Sequence, residues 1–376
     1  MAFKVHYIVG VTGVFVVLLG AIIGWIILPM VVRNKIADII PLKENSESFK
    51  RWKDPPVPIY FSVYVFHVNN PDDIIKGATP SVTEKGPYVY RETRHREVLS
   101  AIDENDTITY RQRILFEFDQ KASGNLTEDD VYTVVNMQAL ALSQVVNNLK
   151  VMNPAILLLN TALPKLWPTN TSNPLFLKAR VKDFLFGRMP MYCNQSLSVQ
   201  NIDVKVLCEA VKIFKPKTVI LDGGGNGIHT FSLFRYKNTT YDGIYAIKMG
   251  VNDVTNIGNI KTWNDSTKLK NWKSDSCNTI VGTDSTVFRP YLYEDGVQSL
   301  YIFNTDACRS IKLNRDGFLE YKGINGIKYV TDESTFASVL ENSDNFCYCP
   351  QSIHGITHWG GCLKSGIVEL SSCHSK

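Results

Sequence analysis

Three groups of residues in this chain have the types and spacing that chemistry requires. Asp222-Gly-Gly-Gly-Asn-Gly227 has the glycine density of a phosphate cradle. A cradle needs a strand before it and a helix after it, so that backbone N–H groups at the helix start face the phosphate. Here His229 to Tyr236 reads as a strand and no Gly-Lys-Ser/Thr follows, so the segment reads as a hairpin turn. His354-Gly-Ile-Thr-His358 has metal-compatible spacing, but Gly355 stands where a zinc protease carries its glutamate. The pair also lies between Cys349 and Cys362, where a small disulfide loop is expected. No G-x-S-x-G elbow supplies a hydrolase nucleophile. The expectation is a protein without catalytic residues, bound metal or cofactor, and not an enzyme.

The third group is the cysteines. All eight (193, 208, 277, 308, 347, 349, 362 and 373) follow a long apolar segment near the N-terminus. An even number crowded toward one end reads as a disulfide framework in an oxidising compartment. In a reducing one, Cys347-x-Cys349 with Cys362 would suggest zinc, although zinc pairs are usually spaced C-x₂₋₄-C. Disulfides are the favoured reading. Six N-x-S/T sequons point to the same compartment, and Asn105, Asn125, Asn170, Asn194, Asn238 and Asn264 are expected to carry N-linked glycans.

These residues need elements to position them, and the first is that apolar segment. Tyr7 to Val32 is 26 consecutive residues without a charge. As a helix it reaches roughly 39 Å, enough to cross a hydrocarbon core of about 30 Å. A cleaved signal would have a shorter apolar core and a small-residue cleavage site, absent around Leu28-Pro29-Met30. The flanking charges (Lys4 against Arg33, Lys35 and Asp38) nearly balance, so the sequons and cysteines set the orientation, with the N-terminus cytoplasmic. Gly20 and Gly24 form a G-x-x-x-G pattern that permits close helix association and a homo-oligomer.

Beyond the anchor, a net charge of +4 with 20% charged residues gives no nucleic-acid footprint. No repeat or low-complexity linker divides the remainder, so one continuous domain is expected. Val57 to Asn69, Tyr88 to Tyr90, Thr107 to Phe118, Thr218 to Leu221 and Thr230 to Tyr236 read as strands. Turn pairs are expected at Asp222-Gly223, Asn226-Gly227, Asp242-Gly243 and Asn325-Gly326. Met137 to Lys150 reads as a helix, and another starts at Asn153-Pro154, where Asn caps and Pro suits the first turn. The run Ala155 to Leu159 covers every helix face with apolar groups, so it must be buried, membrane-facing or ligand-facing. The class is mainly β with an inserted helical section (α+β).

Glu84-Lys-Gly86-Pro87-Tyr88-Val-Tyr90-Arg91 resembles the Gly-Pro-Tyr signature of the class B scavenger receptor family, to which fatty acid translocases belong. Phe49-Lys-Arg-Trp52, Asp306-Ala-Cys308-Arg309-Ser310 and the run from Phe336 to Cys349 fit the same family. Lys182 to Phe186, Pro190-Met-Tyr-Cys193, Cys208, Cys277 to Asp284 and Tyr301 to Cys308 resemble its insect branch, the sensory neuron membrane proteins. The resemblance runs nearly end to end. It implies a barrel-like ectodomain (33–376) above a transmembrane helix (7–32) and a cytoplasmic tail (1–6), with a helical cap at about 136–186 and an internal tunnel. It implies the disulfides Cys277–Cys347, Cys308–Cys373 and Cys349–Cys362, to which we add Cys193–Cys208. Lys150, Lys165 and Lys178, beside the cap runs, are expected to pair with ligand head groups.

The function expected from this resemblance is binding of lipophilic ligands (lipid-derived pheromones or fatty acids). Delivery would be to the lipid bilayer or to a neighbouring odorant receptor, with pheromone carrier proteins as further partners. The expected location is the cell membrane of a sensory neuron dendrite. Two other readings fit the same features: a general scavenger or lysosomal trafficking receptor of this family, and a type II membrane-anchored lumenal enzyme such as a glycosyltransferase. The chain lacks the Asp-x-Asp pair of many such enzymes, which counts against the second. Family members carry a second membrane helix near the C-terminus. Nothing after Val32 approaches 18 uncharged apolar residues, so the C-terminal part is expected to be missing.

Overall fold

The computed structural model describes residues 2–102, 105–148, 154–167, 174–194, 200–214, 217–221, 227–349, 362–368, 370 and 373. The uncharged N-terminal sequence forms helix α1 (Ala2–Ile22), a π-helical turn (Ile23–Ile27) and α2 (Leu28–Ile39) in succession. Pro29 has no N–H to give the preceding turn, and the π turn just before it accommodates the missing bond. The stretch Gly10–Ile39 is long and apolar enough to cross a membrane, and none of it is buried against the rest of the protein. The helix outruns the expected 7–32 because no proline or glycine stands between Val32 and Pro41. Ser46 then caps α3 (Glu47–Lys53), its hydroxyl accepting from the Phe49 N–H, and α3 buries Trp52.

The chain continues through β1 (Ile59–Val68), α4 (Pro71–Ile75), β2 (Val82–Ile102), β3 (Thr107–Phe118), α5 (Gln120–Ser123) and β4 (Val131–Val135). Helices α6 (Met137–Asn148) and α7 (Pro154–Leu166) follow, then β5 (Phe176–Arg180), α8 (Val181–Leu185), β6 (Met189–Tyr192) and α9 (Ile202–Phe214). Strands β7 (Val219–Ile220), β8 (Ile228–Phe231), β9 (Tyr241–Lys248), β10 (Ile260–Trp263), β11 (Ser299–Asn304), β12 (Arg309–Tyr321) and β13 (Ile324–Thr331) complete the sheets. The main sheet has the order β1-β2-β3-β9-β10; three others are β4-β5, β6-β8-β7 and β11-β12-β13.

The class is therefore mainly sheet with an inserted helical section, as the sequence implies. Among the described residues the main sheet is open, with β1 and β10 at its edges, and no closed barrel forms. The helical section reaches past 186, because α9 packs on α7 and the Cys193–Cys208 disulfide ties it back. Two turn expectations are corrected. Asn325 and Gly326 lie inside β13, paired with Glu320 and Leu319, and the hairpin turns instead at Lys322 and Gly323. Both central residues there have positive φ (51° and 79°), which suits a tight two-residue hairpin. Asp242 and Gly243 lie inside β9. Strand β8 ends at Phe231 rather than reaching Tyr236. Asp222 to Asn226 and the His354–His358 pair lie outside the described residues.

One face of the sheet carries two cores. The upper one joins Tyr88, Tyr90 and Val65 to Leu159, Leu163, Leu166, Leu185 and Leu207 from the helical section. The lower one joins Leu42 and Trp52 to Ile108, Tyr110, Tyr245, Ile247, Met249 and Phe303. Gly86 serves the upper junction: a Cβ there would sit 2.7 Å from the Tyr64 ring and 2.8 Å from the Val63 carbonyl.

Arg96, on β2, lies beside the lower core with no exposed surface. Its guanidinium donates to the Trp52 carbonyl, to Thr286 Oγ1 at 2.9 Å and to Asp284 Oδ2 at 3.3 Å, and sits 5.0 Å above the Trp52 ring. Asp284 also accepts from the Tyr110 hydroxyl at 2.7 Å and from the Thr286 N–H. Burial pushes the Asp284 carboxyl up, but the Arg96 charge and these hydrogen bonds outweigh it and hold the pKa below the usual range. Its stabilising contribution is thus complete above the unfolded carboxyl pKa of about 3.9 and is lost as pH falls through the folded value. Asp284→Asn is expected to cost roughly 3–5 kcal/mol at neutral pH, because it strands a buried guanidinium. Denaturant unfolding of the full chain in nanodiscs checks this, and the gap to wild type should narrow as pH is lowered below about 4.

Candidate functional site

Between the two cores, the inward row of the sheet turns polar. Strand alternation places Tyr88, Tyr90, Glu92, Arg94 and Arg96 of β2 on the same side as Phe118, Phe116, Ile114, Gln112 and Tyr110 of β3. Glu92 and Arg94 form an ion pair with little exposure. Arg94 stands opposite Ile114, and Arg96 opposite Gln112.

Two cavities share this row. One, of about 660 Å³, is lined by Ile40, Leu42, Trp52, Ile59, Arg94 and Arg96, directly after the membrane helix. The second, of about 450 Å³, is lined by Gln112, Ile114, Tyr236, Tyr241, Asp242 and Trp263. Cross-strand neighbours sit about 5 Å apart, so the wall of one cavity adjoins the wall of the other. Two buried polar atoms of this row, Gln112 Oε1 and Arg96 Nε, have no hydrogen-bond partner among the described residues. A buried acceptor or donor left unpaired costs about 1–3 kcal/mol, which a polar ligand atom can recover.

Above the cavities the face is filled by rings. Phe61, Phe116, Phe186 and Phe234 pack with centroids 5.3–5.8 Å apart. Tyr88 and Tyr90, the tyrosines of the family signature, are almost fully buried there. The Tyr88 hydroxyl donates to Asp130 at 2.7 Å, and the Tyr90 hydroxyl to Glu128 at 3.0 Å. Burial first, then these partners, pushes both phenols far above their ordinary pKa, so they remain donors. Their role is to hold the β4 region against the sheet.

The expected head-group lysines are placed as follows. Lys150 lies outside the described residues. Lys165 donates to Asp203 Oδ2 at 2.6 Å, joining α7 to α9. Burial raises the Asp203 pKa, but Lys165 and Thr161 outweigh it and keep the carboxylate ionised. Lys178 is exposed on β5, opposite Thr133. Of the apolar run Ala155 to Leu159, Leu159 is buried in the upper core. The structure pairs Cys193 with Cys208, Cys277 with Cys347, Cys308 with Cys373 and Cys349 with Cys362. Asn105, Asn125 and Asn264 are exposed and Asn194 and Asn238 half-buried, while Asn170 lies outside the described residues. Asn264 lines the mouth of the second cavity.

Gln112, Arg94 and Arg96 were not foreseen as site residues. Their signal is a glutamine and three charged residues at inward positions of otherwise apolar strand rows.

Comparison with known proteins places these features. The model of the CD36 family matches residues 11–376. The chain is 34% identical to sensory neuron membrane protein 2 of Ostrinia furnacalis, covering 92% of this chain and 64% of that protein. It is 32% identical to the Heliothis virescens protein of the same name (97% and 68%) and 31% identical to sensory neuron membrane protein 1 of Antheraea polyphemus (96% and 64%). The chain thus spans about two thirds of the length of these curated relatives.

Proposed function

This chain belongs to the CD36 family, and from that premise we propose that it is a membrane receptor that binds lipophilic ligands and passes them to the bilayer or a neighbouring odorant receptor. The ligands proposed are lipid-derived pheromones and fatty acids, and the setting a chemosensory neuron with the ectodomain outside the cell. Binding rather than catalysis is its role.

The observation that carries this reading is the pair of cavities on the sheet face beside the membrane helix. Exposing a methylene to water costs roughly 0.8 kcal/mol, so a 16-carbon chain gains about 12 kcal/mol from a shielded path. Apolar walls of Leu42, Ile59 and Ile114 suit the chain, and the Gln112 carbonyl oxygen suits a hydroxyl donor. The ring cluster above would have to part for a ligand to travel from the cap to these cavities. Lys178 and Lys165 are kept as proposed contacts for carboxylates at the cap, Lys165 by exchanging Asp203 for the ligand.

Two substitutions test the reading in nanodiscs holding the full chain. Gln112→Leu is expected to leave folding intact and weaken binding of a long-chain alcohol about threefold to tenfold, the worth of one hydrogen bond. Binding of the matching hydrocarbon should be unchanged; equal binding of the alcohol by both proteins would remove Gln112 from the site. Lys178→Ala is expected to raise the dissociation constant of a fatty acid severalfold and to spare the alcohol. Equal loss for both ligands would rule out a head-group role.

A further inference from the structure

We propose that the β12–β13 hairpin, with the loop 289–297 beside it, is a second membrane contact that rests on the outer face of the bilayer. The proposal rests on the reading that the N-terminal helix crosses that bilayer.

The level of the loop is fixed by Arg33, the first charged residue after the uncharged run. The Tyr291 hydroxyl donates to the Arg33 carbonyl at 2.6 Å, and the Arg33 guanidinium lies 4.2 Å from the Tyr291 ring centroid. Arg33 also reaches Asp295 at 3.2 Å, and Arg289 binds the other oxygen of that carboxylate. The loop is therefore held where the uncharged run of the helix ends.

From this loop, Tyr293 packs on Phe318 of the hairpin at 5.8 Å, and Arg315 lies over both rings. The outer half of the hairpin is open and apolar. Tyr293 is 65% exposed, Phe318 63%, Leu319 43%, Tyr321 65% and Ile324 72%. In a strand, successive residues point to opposite faces, so Phe318 and Leu319 leave both faces apolar. A hairpin in water would show one polar face. Between loop and hairpin lies an open cavity of about 840 Å³, lined by Leu292, Tyr293, Phe318, Leu319 and Ile327.

Charge selects the kind of surface. Lys328 pairs with Asp316, leaving Arg315 and Lys322 against Glu294 and Glu320, so the patch is close to neutral. Tyrosines at the rim and a lysine at the turn are the composition found at membrane–water boundaries. A zwitterionic lipid surface fits without any need for anionic lipid.

Nitroxide labelling tests the proposal. All eight native cysteines are paired, so an introduced cysteine is the sole free thiol. Ile324→Cys, Trp25→Cys in the span and Lys76→Cys at the exposed C-terminal end of helix α4 are each labelled in the full chain in phosphatidylcholine nanodiscs. Relaxation by oxygen and by a water-soluble nickel chelate is then compared. The expected result is an Ile324 label that, like the Trp25 label, favours oxygen, while the Lys76 label favours the chelate. Chelate access at Ile324 equal to that at Lys76 overturns the proposal. Shielding from both reagents also overturns it, since polypeptide rather than lipid would then cover the hairpin. Chelate access at Trp25 would overturn the membrane-crossing reading beneath it.

Discussion

A guanidinium with no exposed surface must be met on every side, and Arg96 imposes that demand where three parts of the molecule converge. An unpaired charge in such a place would cost several kcal/mol. Its partners therefore cannot be adjusted one at a time. Trp52 comes from the short helix below the membrane anchor, Tyr110 from the next strand, and Asp284 with Thr286 from the loop after Gly282. Gly282, at φ +96°, lets that loop press onto β11, since a Cβ there would lie 2.1 Å from the Tyr301 carbonyl. The orientation of the sheet to the anchor follows from satisfying this one charge.

The same row of the sheet is frugal and generous by turns. Around Arg96 the guanidinium ends, Asp284 and Thr286 pair with one another, while Arg96 Nε, Trp52 Nε1 and, one strand away, Gln112 Oε1 stay without a hydrogen-bond partner among the described residues. Paired groups in such a network give rigidity, and each buried atom left unpaired carries a desolvation cost. Placing the two side by side sets a rigid frame next to a cavity wall.

Much of this was legible in the residues. The span Thr107 to Phe118 coincides with β3, Met137 opens a helix where apolar spacing turns helical, and Pro154 opens one where the Asn-Pro start signal places it. Local periodicity and turn chemistry suffice for such elements. Helix α9 carried its signal too: Val204, Leu207, Cys208 and Val211 bury at helical spacing. The hairpin turn was misplaced by three residues because pairing across β12 and β13, not the Asn-Gly preference, sets the register. The site was least legible. That Arg94 faces Ile114 and Arg96 faces Gln112 depends on a bulge between Val98 and Ser100, which no single strand reveals. Closure into a barrel was inferred from likeness alone, and likeness does not say which edges meet.

The π turn at Ile23–Ile27 bears on how the protein faces its neighbours in the plane of the membrane. Each residue along a helix turns the chain by about 100°, so one extra residue in a turn advances all that follows by that angle. Gly20 lies before this step and Gly24 within it, while Arg33, which holds the loop at Tyr291, lies after it. The azimuth of the ectodomain about the membrane normal is thus written in the middle of the lipid. A single deletion there would leave the contacts of the sheets intact and turn them by about 100° relative to the start of the helix.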